Sequence, residues 1–112
     1  MDTARLDLDE MQASASRACE LMRVLSNPDR LLILCQLAQQ EMCVSEIEAQ
    51  LGIVQPTLSQ QLSVLRNMRL VRTRREGKNI YYQLSSPKAL AVMTSLFEQF
   101  CSTAQPIQRR KK

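Results

Sequence analysis

Hydrophobic positions keep a helical period along most of the chain and switch to strict alternation in one short region. Between Gln55 and Met68, Leu58, Leu62 and Leu65 fall at i, i+4 and i+7, which lines one face of a helix. The rest of that helix surface is Thr57, Ser59, Gln60, Gln61 and Ser63, with Arg66 near its end. A merely solvated face usually carries charge. Short uncharged donors and acceptors instead match the base edges of a DNA major groove. Pro56 suits the first helical position, and Gln55 is a weak cap before it. Taken alone, the stretch is equally well an ordinary amphipathic helix. What flanks it decides.

Upstream, the spacing predicts a helix from about Met11 to Leu25, with Ala15, Ala18, Met22 and Leu25 on one side. Ser26-Asn27-Pro28-Asp29 stops it and starts another. Asn27 is a good N-cap, Pro28 fits the first helical position, and Asp29 suits the positive helix end. The segment Arg30 to Ala38 is apolar nearly all round, so it is predicted to be the central core helix. Gln39 to Met42 reads as a link. Ser45 and Glu48 are three apart, as in a capping box, and Gly52 suits a left-handed C-cap. Short helix, glycine turn and polar-faced helix make a helix-turn-helix plan.

Downstream the period changes. Leu70 to Arg75 and Asn79 to Leu84 are β-rich, and Ile80, Tyr82 and Leu84 alternate with Tyr81 and Gln83. Glu76-Gly77-Lys78 joins the two runs. A hairpin with a basic tip directly after a polar-faced helix reads as a wing, although charge also collects on plain solvated turns. Ser86-Pro87 opens a last helix to about Phe100-Cys101. Its Leu90, Met93, Leu96, Phe97 and Phe100 exceed what one small domain needs to cover. The two terminal helices either pack on the core helix or form a dimer interface, and the small core favours the interface. The fold class expected is mainly α with a small β-hairpin: a winged helix-turn-helix of five helices plus a two-stranded wing, as a homodimer. Residues 1–10 are predicted to be a flexible N-terminus, 11–101 the domain, and 102–112 a flexible basic tail ending Arg109-Arg110-Lys111-Lys112.

Composition sharpens the functional side. The 112 residues carry a net charge of +4, unevenly placed. Arg66, Arg69, Arg72, Arg74, Arg75 and Lys78 crowd one stretch against a single acid, Glu76. A basic run beside an uncharged polar helix points to phosphate contacts next to base contacts, hence to double-stranded DNA as the partner. Candidate DNA contacts are Gln55, Pro56, Thr57, Ser59, Gln60, Ser63 and Arg66 on the helix, and Arg74, Arg75 and Lys78 on the wing. Histidine is absent, which removes His-based zinc sites and Ser-His or Cys-His catalytic pairs. No glycine-rich phosphate loop or metal motif is present, so neither enzyme activity nor a cofactor is expected. No stretch reads as a secretory signal or a membrane span, so a cytoplasmic location is expected. The four cysteines, Cys19, Cys35, Cys43 and Cys101, should then rest reduced, and none forms a C-x-x-C pair.

Three stretches together carry a resemblance to the ArsR/SmtB-type winged-helix repressors, and it covers the chain from about Ala15 to Cys101. They are Leu25-Ser26-Asn27-Pro28-Asp29-Arg30-Leu31-Leu32-Ile33-Leu34, the run Gln55 to Arg66, and Lys78-Asn79-Ile80-Tyr81-Tyr82-Gln83-Leu84. The resemblance implies a homodimer that occupies an operator and leaves when an inducer binds. Arsenic-sensing members carry Cys-Val-Cys-x-x-Cys on the short helix before the recognition helix. Here the matching stretch is Cys43-Val44-Ser45-Glu46-Ile47-Glu48, which keeps one thiol of three. A soft metalloid needs two or three thiolates.

What remains is Cys35 in the core helix and Cys101 at the end of the last helix. This pair resembles the persulfide-sensing, BigR/SqrR-like branch, in which two such cysteines become bridged by sulfur. That implies a persulfide or polysulfide inducer and control of sulfide detoxification. A thiolate-based metal or metalloid repressor is the alternative. Local physics alone does not single out the pair. Cys35 lies among Leu31, Leu32, Leu34 and Ala38, where a thiol is often inert filling. Cys101 is near a helix C-terminus, where the dipole disfavours an anion. Arg17, Arg23 and Arg30 are candidates to lower a thiol pKa. Cys19 is expected to be structural at the dimer face, and Cys43 exposed or a relic.

Overall fold

The computed structural model describes residues 7–101; the basic tail at 109–112 lies outside them. The elements run α1 (Leu8–Leu25), α2 (Pro28–Gln39), β1 (Met42–Cys43), α3 (Val44–Leu51), α4 (Thr57–Asn67), β2 (Val71–Glu76), β3 (Asn79–Leu84) and α5 (Pro87–Phe100). Five helices and a wing are present as expected, and the sheet has three strands, in the order β1-β3-β2, rather than two. Met42 and Cys43 pair antiparallel with Tyr82 and Tyr81. Two residues are too few to show a period, so the stretch reads as a link in the sequence.

Helix starts follow the capping residues, with two shifts. The Asn27 side chain accepts from the Arg30 N–H, with Pro28 following, and Ser86 caps α5 by accepting from the Ala89 N–H. Helix α1 begins at Leu8, earlier than Met11, because the Asp7 carboxylate accepts from the Glu10 N–H at 2.8 Å. Asp9 and Glu10 in that first turn sit favourably at the positive helix end. The capping box expected at Ser45 and Glu48 is replaced by one nearer the strand: the Glu46 carboxylate accepts from the Cys43 N–H at 3.0 Å. Pairing of β1 with β3 sets that start, since α3 must begin where the strand ends.

The core is aliphatic and centres on α2. Ile33, Leu34 and Leu37 meet Ile47 of α3, Leu58, Leu62 and Leu65 of α4, and Met93 of α5, and no charged or polar side chain is buried among the described residues. Helix α2 is not wrapped on every side, however: Leu32 is 49% exposed. The terminal helices are the least covered. In α1 only Val24 and Leu25 are buried, while Ala15, Ala18 and Met22 lie exposed, and Phe100 of α5 is 81% exposed.

Helix α4 ends on a left-handed residue that is not glycine. Arg69 has φ 61°, and the Leu70 N–H reaches back to the Leu65 carbonyl at 3.0 Å. Such helix ends favour glycine, because Cβ crowds the backbone in this conformation. Arg69→Gly is expected to raise stability by about 0.5–1 kcal/mol, read as a higher urea midpoint at unchanged slope.

Candidate nucleic-acid interface and thiol pair

Helix α3 stops at Gly52, whose φ of 70° and N–H bond to the Glu48 carbonyl close the left-handed cap. The turn delivers the chain to α4. Pro56 is the N-cap of that helix rather than its first helical residue. Gln55 caps more firmly than its residue type suggests: its Oε1 accepts from both the Ser59 N–H at 3.0 Å and the Ser59 hydroxyl at 2.7 Å. With Leu58, Leu62 and Leu65 turned into the core, the opposite side of α4 is left to solvent. Gln55, Pro56, Ser59, Gln60, Ser63 and Arg66 are exposed there, and Thr57 is half-buried at the edge. Asn67 is also exposed, four residues after Ser63 and so on the same face. Asn67 is not among the contacts expected from the sequence, although its spacing from Ser63 places it with them.

The wing follows at once. Residues Val71 to Glu76 pair with Leu84 to Asn79, and Gly77, at φ 63°, leads the two-residue connection. Its basic side chains divide into two kinds. Arg74, an expected phosphate contact, is exposed but already paired: it bonds Glu41 at 2.7 Å and Glu76 at 2.9 Å and lies over the Tyr81 ring at 4.8 Å. The same hydrogen bond holds the Glu41 carboxyl below its ordinary range. Arg72 likewise forks onto the Gln83 Oε1. Arg75 and Lys78 project exposed from the outer half of the hairpin. Arg75→Ala is therefore expected to flatten the dependence of DNA affinity on salt by about 0.9 per protomer, the slope for one phosphate neutralised. A titration of one duplex over a salt series measures it, and an unchanged slope removes Arg75 from the interface.

The remaining chemistry is thiol chemistry. Cys35 is half-buried on α2, and Cys101 is exposed at the C-cap of α5. The fold brings them into each other's field. Burial pushes the Cys35 thiol up to about 11, and the charge of Cys101 adds to that rise. Among the described residues no arginine counteracts it. Arg30, one of the candidate activators, donates instead to the Val24 and Arg23 carbonyls and to Gln61. Cys43 is buried, not exposed, because it occupies the short strand paired alongside β3. Cys19 is exposed on α1. Among the described residues no three His, Cys, Asp or Glu side chains gather in a metal-binding group, and no helix is long and apolar enough to cross a membrane.

A glycine-turned helix pair, an uncharged polar helix face and a basic hairpin define a winged helix-turn-helix DNA-binding protein. Residues 27–73 match the model of the bacterial regulatory protein, arsR family. The similarity extends well beyond that segment. The biofilm growth-associated repressor of Agrobacterium fabrum is 44% identical over 102 residues, covering 91% of this chain and 87% of the relative. The crystal structure of the transcriptional repressor BigR from Xylella fastidiosa superposes with a TM-score of 0.80 at 43% identity, covering 86% of this chain and 98% of that one. Reduced HlyU from Vibrio cholerae superposes with a TM-score of 0.79 at 37% identity, covering 84% and 99%. The chain belongs to the arsR family, and is a DNA-binding transcriptional repressor of that family.

Proposed function

We propose that this repressor acts as a cytoplasmic homodimer that holds operator DNA while Cys35 and Cys101 are thiols and releases it when sulfane sulfur bridges them. It works by binding and release rather than by catalysis. The observation that carries the reading is that Cys35, half-buried on α2, and Cys101, exposed at the C-cap of α5, are near enough for the charge of Cys101 to add to the rise of the Cys35 thiol. Similarity to BigR and to HlyU, whose reduced form has been solved, supports the same reading. The uncovered apolar faces of α1 and α5 support the dimer, since Leu8, Met11, Met22, Leu90 and Phe100 are all exposed in one protomer. In such a dimer two copies of α4 would present their polar faces to successive major grooves, about 34 Å apart.

The exposure of the two thiols orders the steps. The Cys101 thiolate is reached first and takes the outer sulfur of an organic persulfide, RS–SH, giving Cys101–S–SH and RSH. The Cys35 thiolate then attacks the Cys101 sulfur, forms the disulfide and expels HS⁻. With an organic trisulfide as donor, Cys101 attacks the middle sulfur and expels RS⁻. Cys35 then attacks that same sulfur and expels the second RS⁻, so the bridge keeps one extra sulfur. Either way the dithiol is oxidised and the donor reduced. The bridge ties α2 to the end of α5 and strains the placement of α4.

The test is a titration of the reduced protein on a duplex selected from a random pool, with an organic trisulfide in one arm and thiophilic metal ions in the other. Release by the trisulfide that a thiol reductant reverses and a chelator does not supports the reading. Release only by metal, reversed by the chelator, replaces it with the thiolate metal or metalloid sensor.

A further inference from the structure

One polar side chain links the recognition helix to the junction of α1 and α2. Arg30, in the first turn of α2, donates from Nε to the Val24 carbonyl at 2.8 Å and from one terminal nitrogen to the Arg23 carbonyl at 3.2 Å. These are carbonyls of the last turn of α1, which a cation suits both by hydrogen bonding and by the helix dipole. The other terminal nitrogen donates to Gln61 Oε1 of α4 at 3.1 Å. The planar fork of a guanidinium fixes the directions of its donors, so one side chain sets three acceptors on two helices relative to a third. Gln61 is half-buried on the flank of α4, between the leucine face and the face of Gln60 and Ser63. Three leucines in a smooth core allow a helix to roll by small angles, because apolar contacts are not directional. A hydrogen bond on the flank resists that roll.

We propose that Arg30 and Gln61 are positioning residues for DNA recognition: their contact sets the rotation of α4 and thereby the aim of its base-contacting side chains. Arg30 does not touch DNA in this reading, and Gln61 acts through its oxygen, which faces Arg30. Specific binding therefore depends on the contact, while phosphate-driven binding to any duplex does not, because base edges demand placement that a phosphate backbone does not. The contact also makes the end of α1 a mechanical partner of α4, so a shift of the terminal helices is felt at the recognition face.

Arg30→Lys keeps the charge and loses the fork; Gln61→Met keeps length and helix preference and loses the acceptor. Each full-length variant, and the double variant, is titrated on a duplex selected from a random pool by the parent protein and on a scrambled duplex of equal length. The ratio of the two affinities is expected to fall about tenfold in each single variant and by no more in the double, since both remove one contact. Affinity for the scrambled duplex and the salt slope are expected to stay within about twofold of the parent. An unchanged ratio in either single variant overturns the proposal, as do additive losses in the double. So does a fall in the ratio that only follows a collapse of the thermal midpoints recorded on the same samples. None of these readouts depends on the thiol pair.

Discussion

Cys35→Ser protein is expected to stay on its operator after treatment with an organic persulfide, under conditions where the parent loses about a hundredfold in affinity, or ~2.7 kcal/mol. The two cysteines should fail differently when replaced. Cys101 is exposed, so Cys35→Ser still takes up sulfur at Cys101 yet keeps its DNA. Cys101→Ser loses the exposed thiol of the pair and is expected neither to close a bridge nor to release DNA. The closing step carries a pH signature. Only the thiolate attacks, and burial with the nearby Cys101 charge has pushed Cys35 up to about 11. Below that value the thiolate fraction of Cys35 grows about tenfold per pH unit. Bridge closure on protein already loaded at Cys101 should accelerate in that proportion between neutral pH and pH about 9.5. Intact mass against time at several pH values measures it, and a flat profile would assign the slow step elsewhere. In the proposed switch the inner thiol, nearly all protonated at neutral pH, closes the bridge slowly and only onto a Cys101 already loaded with sulfur.

The largest stability effect is expected at Leu58. Its side chain is fully buried between α4 and α2, and the helix it anchors carries the DNA face. Leu58→Ala removes packing and leaves a cavity while keeping a strong helix former, for a loss of about 2–5 kcal/mol. Against a total stability of about 5–15 kcal/mol, that lowers the thermal midpoint by about 8 °C or more. Val54→Ala, three residues into the turn after α3 ends, is the control: Val54 is 67% exposed, so its replacement should cost less than about 0.5 kcal/mol. Thermal melts of both variants at one protein concentration decide the matter; equal midpoints would mean that α4 is not held by its leucine face.

Much of the fold was legible because local chemistry and tertiary demand agree in this chain. Asn27-Pro28, Gly52 and Ser86-Pro87 mark helix ends that the structure keeps. The spacing of Leu58, Leu62 and Leu65, and the alternation of Ile80, Tyr82 and Leu84, identified the DNA-facing helix and the inner wing strand. What stayed hidden depends on distant partners. The pairing of Met42 and Cys43 with β3 has no local signature, and it moves the α3 cap to Cys43 and Glu46 and buries Cys43. Arg74 reads as one basic residue among six in that stretch until Glu41, far back in the chain, is seen to hold it. Gln61 is likewise one polar residue among several until Arg30 meets it. The nearness of Cys35 and Cys101 was accessible only through the family resemblance, since the residues around each thiol argue for inertness.

The proposed thiol switch is tested most directly by DNA binding and intact mass on the same samples of the reduced protein, before and after an organic persulfide. Loss of binding is expected to rise in step with a Cys35–Cys101 bridge, with or without added sulfur, and a thiol reductant is expected to restore both binding and mass. Full bridging with undiminished DNA affinity, or release without any covalent change at these two cysteines, would contradict it.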